Sequence, residues 1–317
     1  MHRFGFTKGL QDLGNNTYAY LQPDGSWGFS NAGLVIDSDE ALLVDTLFDL
    51  ALTREMLDAY SSVAGSCDYR YLVLTHGNGD HTFGNQLVPG AEIVASKNCR
   101  EEMEQSPPRM MADLLAAADD LGDTGKYFAE SFGAFDFKGI DLVFPTRFPD
   151  KELDLVVGRK AVRLVEAGPA HTSSDLIVYV PHAGVVFAGD MLFVGGMPIM
   201  WTGPFENWVS ALDLILDMDA EIIVPGHGPV TDKAGVRQCR DILEEIYAGT
   251  ENRFREGKTA FETSAELAGV VFPHLIDAER VVIMVNGLYK AFDARHQVPD
   301  VWTLFSQMAQ LKEGKKS

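Results

Sequence analysis

The chain has 317 residues, of which 46% are hydrophobic and 23% are charged, as in an ordinary globular protein and unlike a disordered or collagen-like one. Acidic residues outnumber basic residues by 46 to 26, and the formal net charge is −20 at pH 7. This acidity argues against nucleic acid and against an anionic membrane surface as partners. No secretory signal or bilayer-length apolar stretch is visible, which predicts a cytoplasmic protein.

Short apolar runs between turn residues predict β-strands in the first part of the chain. A run with helical spacing interrupts them at 48–62. Residues from about 97 to 135 are rich in Met, Ala, Glu and Asp and predict two or three helices without strands. Such an insertion is either a mobile lid or a packing appendage, and the sequence favours neither. We expect the early strands at 17–21, 31–36, 41–44, 71–74 and 91–95.

Strands resume after the insertion, and helices dominate the end of the chain. Strand-and-helix content in two similar halves predicts an α/β fold in which sheet packs on sheet with helices outside. We place one domain at 1–233 and a helical C-terminal extension at 234–317, packed on the same domain. The extension is a possible homodimer face, although core packing explains its apolar residues better. The late strands are expected at 153–157, 161–165, 175–180, 185–188 and 220–224, with a helix at 207–216.

Polar side chains that can bind metal ions follow several of these predicted strands. Of the eight histidines, His76, His81, His171 and His227 lie where a strand ends and a loop begins, and Asp190 occupies a similar place. Glycine or proline flanks each of them. Imidazole and carboxylate are the ligands of catalytic zinc, which needs about three protein ligands and an open position for water. One such histidine is more often structural, but five residues at successive strand ends indicate a metal site.

The segment from Thr75 to His81 resembles the signature T-H-x-H-x-D-H of the metallo-β-lactamase superfamily. Later Gly168–His171, Gly189-Asp190 and Gly226-His227 elements follow in the expected order. The resemblance covers roughly residues 16–231. It implies an αββα sandwich with a metal site at one edge of the two sheets, and a metal-dependent hydrolase as the commonest activity.

The resemblance also implies roles for individual residues. His76 and His171 resemble ligands of a first metal, and Asp190 matches a carboxylate that bridges two metals. Asp45 matches an aspartate that supports the site from behind, where it would orient a ligand histidine; a structural cap is the alternative. The ligands of the second metal would be Asp80, His81 and His227.

One position departs from the signature, because Asn78 stands in place of its second histidine. A neutral amide oxygen is a weaker zinc ligand than imidazole. We therefore expect one zinc ion held tightly at the second site, and a first site that is weak, empty or filled by another metal. In that case His76 and His171 would act as hydrogen-bond donors or as acid/base groups.

The expected reaction is attack of metal-activated water on an acyl carbon. Asp80 would hold or deprotonate the water, and Asp190 would help to protonate the leaving group. Five apolar residues on nearby loops suit a largely apolar substrate, although ordinary core packing explains them as well. They are Phe83, Met197, Met200, Trp201 and Phe205. In the insertion, Met110, Met111, Leu114 and Leu115 would close over the same pocket or belong to the core.

Several functions remain open. The first is hydrolysis of an ester, thioester or lactone of a small organic molecule. The form T-H-x-N-G-D-H followed by Gly84-Asn85 is similar to the cyclase/thioesterases of aromatic polyketide pathways in this superfamily. Hydrolytic dehalogenation and a non-catalytic metal-binding role are further alternatives. Acidity argues against a nuclease, and a di-iron oxygen-reducing enzyme would want a carboxylate at position 78.

Overall fold

The computed structural model describes residues 4–314, and two β-sheets packed face to face form its centre. Within these residues the first sheet holds six strands, in which β4 pairs parallel with β5 and β5 with β6. These strands are β1 (Gly9–Gly14), β2 (Thr17–Leu21), β3 (Ala32–Asp37), β4 (Glu40–Val44), β5 (Asp68–Val73) and β6 (Glu92–Val94).

The second sheet holds five strands from the later part of the described chain. Its strands lie side by side in chain order, and only the pairing of β10 with β11 is parallel. They are β7 (Glu152–Val157), β8 (Lys160–Glu166), β9 (Leu176–Val180), β10 (Val185–Phe187) and β11 (Ile222–Val224).

Helices cover the outer faces of both sheets. They are α1 (Leu50–Ala64), α2 (Gly79–Thr82), α3 (Cys99–Gln105), α4 (Pro108–Ala116), α5 (Gly122–Phe132), α6 (Phe205–Asp217), α7 (Lys233–Arg255), α8 (Ala260–Glu266), α9 (Val281–Phe292) and α10 (Val301–Gly314). Short 3₁₀ turns lie at Asn85–Leu87, Ala118–Leu121, Pro181–Ala183, Gly189–Met191 and Ala278–Arg280, and a π-turn lies at Leu267–Val271. The predicted αββα sandwich with a helical insertion and a helical extension is confirmed.

Three apolar layers hold the sandwich together. Val44, Val73 and Phe187 belong to the layer between the sheets. Met56 and Tyr60 of α1 pack against the outer face of the first sheet, and a third layer joins the second sheet to α6, α7 and α9. Each fully buried side chain of this size contributes about 1.5–3 kcal/mol to folding before entropy is counted.

Local signals explain where the elements begin and end. Asp49 caps α1, because its Oδ1 accepts a hydrogen bond from the Leu52 amide at 2.7 Å. Gly65, with φ of +58°, ends the same helix. Strand β1 was not predicted from the sequence, since its residues lack the β-branched and aromatic side chains that identify a strand.

Aromatic side chains join the insertion to the end of the chain. Phe128 and Phe132 of α5 pack against Phe305 of α10, with ring centroids 5.8 and 6.0 Å apart. The insertion therefore shares a core with the C-terminal extension. Cys99 and Met103 of α3 pack against the outer face of the first sheet. Whether it moves as a lid stays a prediction. Over residues 4–314, none of the helices combines the length and hydropathy needed to cross a bilayer.

Candidate metal centre

The predicted ligand residues meet where the sheets present the carboxyl ends of their strands. Strand β4 leads into Asp45 and β5 leads into the loop that carries His76 and α2. Strand β10 leads into Asp190, and β11 leads into His227. Because parallel strands end at one edge of a sheet, sequence-distant side chains reach a common point.

Two groups of ligand atoms form at this edge. His76, His171 and Asp190 make one group, and Asp80, His81 and His227 make the other; within each, the ligand atoms lie within 4.8 Å of one another. Asp190 lies between the groups: its Oδ1 is 3.2 Å from His81 Nε2, and its Oδ2 is 3.5 Å from His227 Nε2 and 3.4 Å from His171 Nε2.

Asn78 belongs to the first group by position. Its Oδ1 is 3.1 Å from His76 Nε2 and 3.0 Å from His171 Nε2. The amide therefore occupies the place between the two imidazoles that a third ligand of the first metal would take.

Hydrogen bonds on the far side of each ring fix the tautomers of the first group. The carbonyl of Ile199 accepts from His171 Nδ1 at 2.6 Å, so His171 Nε2 carries a lone pair. Thr75 Oγ1 donates to Asp45 at 2.7 Å and therefore accepts from His76 Nδ1 at 3.1 Å. His76 Nε2 thus also presents a lone pair, and it faces the amide oxygen of Asn78.

Asp45 orients the ring of His81 in the second group. Its Oδ2 accepts from His81 Nδ1 at 2.9 Å, and its Oδ1 accepts from the Thr75 amide at 2.7 Å. His81 Nε2, which is buried and has no hydrogen-bond partner within the described chain, is left facing the equally unpartnered Oδ1 of Asp190. Asp45 has φ of +62°, a left-handed conformation that Asp and Asn adopt more readily than most residues.

The pKa values of the first-group histidines are low. Burial lowers the pKa of His76 to about 4, and burial lowers that of His171 to about 4 as well. Both rings are therefore neutral at pH 7, which is the form that binds a metal.

The second group contains more charge. For His227, burial acts downward, but Asp190 and Asp80 outweigh it and raise the pKa to about 9. Burial also opposes charge on His81, and the same carboxylates hold its pKa well above its usual range. Against the raising effect of burial, His81 and His227 lower the pKa of Asp80 to about 2.

These residues fit a divalent cation. Without a cation, the Nε2 lone pairs of His76 and His171 face the oxygens of Asn78 and Asp190. In the second group, protons on His81 and His227 balance the charges of Asp80 and Asp190. A divalent metal ion supplies the same two positive charges in their place. Nitrogen and oxygen donors of this kind suit zinc and other transition metals. Only the first group contains a neutral amide in place of a stronger ligand.

Glycine lets the last ligand loop approach closely. A Cβ atom on Gly226 would lie 1.9 Å from Asp190 Oδ1 and 2.9 Å from the Asp190 amide, so any side chain there would displace the Asp190 carboxylate. Gly189, with φ of +52°, lies against Thr75 and completes the turn before Asp190.

Two carboxylates that the sequence analysis missed organise the loops of the first group. Glu102 of α3 accepts from the Gly77 amide at 3.1 Å and from the Ser173 amide at 2.5 Å. Asp175 accepts from the amides of Ala170 and Thr172, both at 3.0 Å, on either side of His171. Asp175 lies four residues after His171 and could have been suspected, whereas Glu102 lies on a helix of the insertion, where no sequence pattern indicates a role.

A cavity of about 540 Å³ opens above the two groups. Phe83 and Trp201 line it, together with Met110, Met111 and Leu114 of the insertion. Polar side chains and seven further aromatic rings complete the lining, and the aromatic residues are Trp27, Phe48, Phe128, Phe132, Phe193, Trp302 and Phe305.

Three of the predicted pocket residues lie elsewhere. Met197 and Met200 are buried in the core beside the second sheet, and Phe205 packs on Tyr247 with ring centroids 4.8 Å apart. Proximity to Asp190 along the chain did not reveal which side of the loop each of these side chains occupies. Leu115 packs in the aromatic cluster of α5 and α10 and does not line the cavity.

Comparison with known proteins identifies the family. The model of the metallo-β-lactamase superfamily matches residues 25–227, which is more than half of the chain. The chain belongs to this superfamily, whose members are mostly hydrolases and typically bind divalent metals.

Individual relatives are distant. A "Beta-lactamase-like protein 2 homolog" from Caenorhabditis elegans is 23% identical over 239 residues, covering 75% of this chain and 66% of that protein. The structure of the stereoselective inverting sec-alkylsulfatase Pisa1 from Pseudomonas sp. is 15% identical, with a TM-score of 0.65, and covers 91% of this chain and 50% of that chain. A metallo-β-lactamase from Pontibacter korlensis is 16% identical, with a TM-score of 0.54, and covers 74% of this chain and 98% of that one. The chain therefore spans half of the alkylsulfatase and just under two thirds of the nematode protein.

Proposed function

We propose that the protein is a zinc-dependent hydrolase that acts on an acyl bond, an ester, thioester or lactone, of a small and largely apolar organic molecule. One observation carries the proposal: convergent imidazole lone pairs and carboxylates lie at the base of a mostly apolar cavity of about 540 Å³. A cavity of this size accommodates an organic ligand of ordinary metabolite size.

Several residues of this chain would have separate roles in the proposed hydrolysis. Zinc bound at the centre would lower the pKa of water and polarise the substrate carbonyl. Asp80, which is ionised because its pKa is about 2, would hold the attacking water and accept its proton. Asp190 would help to return a proton to the leaving group. If the first group holds no metal, His171 and His76 would serve as acid/base groups, because the lone pair on each Nε2 can accept a proton.

We further propose that one zinc ion binds tightly, at the group of Asp80, His81 and His227 together with Asp190. That group offers two carboxylates and two imidazoles, whereas the first relies on the neutral amide of Asn78. Metal analysis after dialysis against a chelator tests this proposal, with about one equivalent expected. Two retained equivalents would contradict it.

Other reactions of the same site would involve related substrates. The cyclase/thioesterase interpretation shares the apolar cavity and an acyl substrate, and dehalogenation would require an aryl halide in the same place. A secondary sulfate ester is a further candidate. The fold of the alkylsulfatase matches 91% of the present chain, and the cavity wall includes an arginine. We retain a cytoplasmic location and a possible homodimer as proposals.

A substrate panel tests the proposed function. Purified protein, zinc-loaded or chelated, is incubated with aryl esters, acyl thioesters, lactones, aryl halides and secondary alkyl sulfates of matched chain length. We expect turnover of an acyl substrate that disappears on chelation and returns with zinc. Equal turnover without metal would refute the scheme, and exclusive turnover of sulfates or halides would reassign the reaction.

A further inference from the structure

Asn78 lies between the two imidazoles of the first group. Its Oδ1 is 3.1 Å from His76 Nε2 and 3.0 Å from His171 Nε2, and the two rings cross edge to face with centroids 5.0 Å apart. These separations are those of ordinary hydrogen bonds. Each contact therefore needs one donor and one acceptor, and the positions of the protons on the three side chains decide which atom is which.

Neither imidazole can be the donor in its neutral form. Both rings are 1% exposed, and burial favours the uncharged ring, which carries a single proton. In His171 this proton lies on Nδ1, because the Ile199 carbonyl can only accept. In His76 it lies on Nδ1 as well, because Thr75 Oγ1 gives its own proton to Asp45. Both Nε2 atoms are consequently acceptors.

An amide oxygen cannot donate either, so an oxygen at this place would leave only acceptors facing one another. Asp190 Oδ2, 3.4 Å from His171 Nε2, is another acceptor. The amide nitrogen of Asn78 meanwhile makes no hydrogen bond with any residue between 4 and 314. A half-turn of the amide about its Cβ–Cγ bond exchanges the oxygen and the nitrogen, which have nearly the same size, and moves no other residue. The NH2 group has two protons, and each would meet one ring nitrogen.

We propose that Asn78 donates one amide N–H to His76 Nε2 and the other to His171 Nε2, and so holds both rings in place of a first metal ion. Asn78 is then a positioning residue, and a metal ion would have to displace two hydrogen bonds before it could reach the imidazoles. Either ring can still accept a proton when the amide turns away, as the proposed acid/base role requires. The inference rests on the proposed function only in assigning the tightly held zinc ion to the second group.

Nuclear magnetic resonance of isotope-labelled protein tests the donor directly, because a hydrogen bond from N–H to a ring nitrogen produces a scalar coupling between the two nitrogens. The side-chain signals of Asn78 are identified by their loss in Asn78→Ala. We expect both amide protons to exchange slowly with water, and the amide nitrogen to couple to Nε2 of His76 and of His171, with and without one equivalent of zinc. A proton bound to either Nε2, or an amide that couples to neither ring, would overturn the inference.

Titration calorimetry provides a second measurement that does not depend on the spectrum. A further equivalent of zinc is titrated into protein that already holds one. We expect Asn78→Ala to bind this second ion about three- to tenfold more tightly than the wild type, because no hydrogen bonds have to be broken, although still too weakly to survive dialysis against a chelator. Asn252→Ala, at an exposed position of α7, is the matched control and should behave as the wild type.

The sign of the change in Asn78→Ala separates a donor from a ligand. If the amide oxygen were a ligand of a first metal ion, its removal would weaken binding of the second equivalent of zinc. An equal or weaker affinity for that equivalent in Asn78→Ala would therefore contradict the inference. If the coupling to both rings is found and no ester is hydrolysed, only the hydrolase proposal fails. If the coupling is found in protein that retains no zinc, only the proposed zinc site fails.

Discussion

The two groups of ligand atoms share Asp190 but differ in charge. The group of Asp80 and His81 has its own carboxylate, whereas the first group has the neutral amide of Asn78 in the corresponding role. Both groups take residues from one loop, from β5 into α2, whereas His171 and His227 come from separate loops after β8 and β11. From this difference we expect a single side chain, without any change of fold, to make two neighbouring sites unequal in metal affinity.

Removing a ligand from each group should have the most unequal effect. His81→Ala should abolish metal retention and lower kcat/KM about a thousandfold or more, because the second group would lose a ligand that Asp45 orients. His76→Ala should lower kcat/KM by only about ten- to a hundredfold and leave about one zinc bound. Metal analysis and steady-state kinetics measure both effects.

The control for these variants is His182→Ala, which removes an exposed histidine remote from the centre. It should match the wild type in activity and metal content. Near-ultraviolet circular dichroism of each variant checks that the buried replacements fold. If His76→Ala lost metal as completely as His81→Ala, the inequality of the two groups would be wrong.

Substitution of Asp45, which accepts a hydrogen bond from His81, should have the next largest effect on zinc affinity. Asp45→Asn keeps the side-chain shape and suits the φ of +62°, but it replaces a charged acceptor of the His81 Nδ1–H bond with an amide. Loss of such a supporting carboxylate typically lowers metal affinity about ten- to a hundredfold. Competition with a chromophoric chelator measures the zinc affinity. An unchanged affinity would restrict Asp45 to holding Thr75.

A substitution at position 78 tests the inequality of the two groups by adding a ligand to the first group. Asn78→His supplies the missing imidazole between His76 and His171, so the first group should gain a second tightly held zinc ion. Metal analysis after dialysis should rise from about one equivalent to about two. Asn78→Ala serves as the control and should stay at about one. A wild type that already holds two would remove the basis of the comparison.

Much of the fold and of the centre could be predicted from the sequence, for a physical reason. Strands β10 and β11 are parallel and lead into Asp190 and His227. Their pairing places these two residues at one edge of the sheet, regardless of the conformation of the segment between the strands. Strand spacing and turn residues therefore carry information about the centre over long distances. Strand β1 was invisible because it gains its place from pairing with β2, and not from its own propensity.

The cavity wall was harder to predict, because it depends on where loops and helices fold back. Met197 and Met200 follow Asp190 closely but point into the core beside α6. Arg280 and Trp302 come from the distant extension and carry no recognisable motif. Tertiary packing determines which of these side chains line the cavity. The alternating or helical spacing of apolar residues in the sequence contains no information about that packing.

Glu102 provides the last and smallest test of the comparison. It accepts from Gly77, directly after His76, and from Ser173, two residues after His171, and within the described chain it makes no hydrogen bond with Asp80, His81 or His227 themselves. Glu102→Gln keeps the size but replaces one acceptor oxygen by an NH2 group that faces a backbone N–H, which costs about 1–3 kcal/mol and should cause a severalfold loss in kcat. In the Asn78→His background it should lower zinc content from about two equivalents toward one. The exposed Glu101→Gln on the same helix controls for charge, and equal loss of metal from both groups would show that Glu102 supports the whole fold instead.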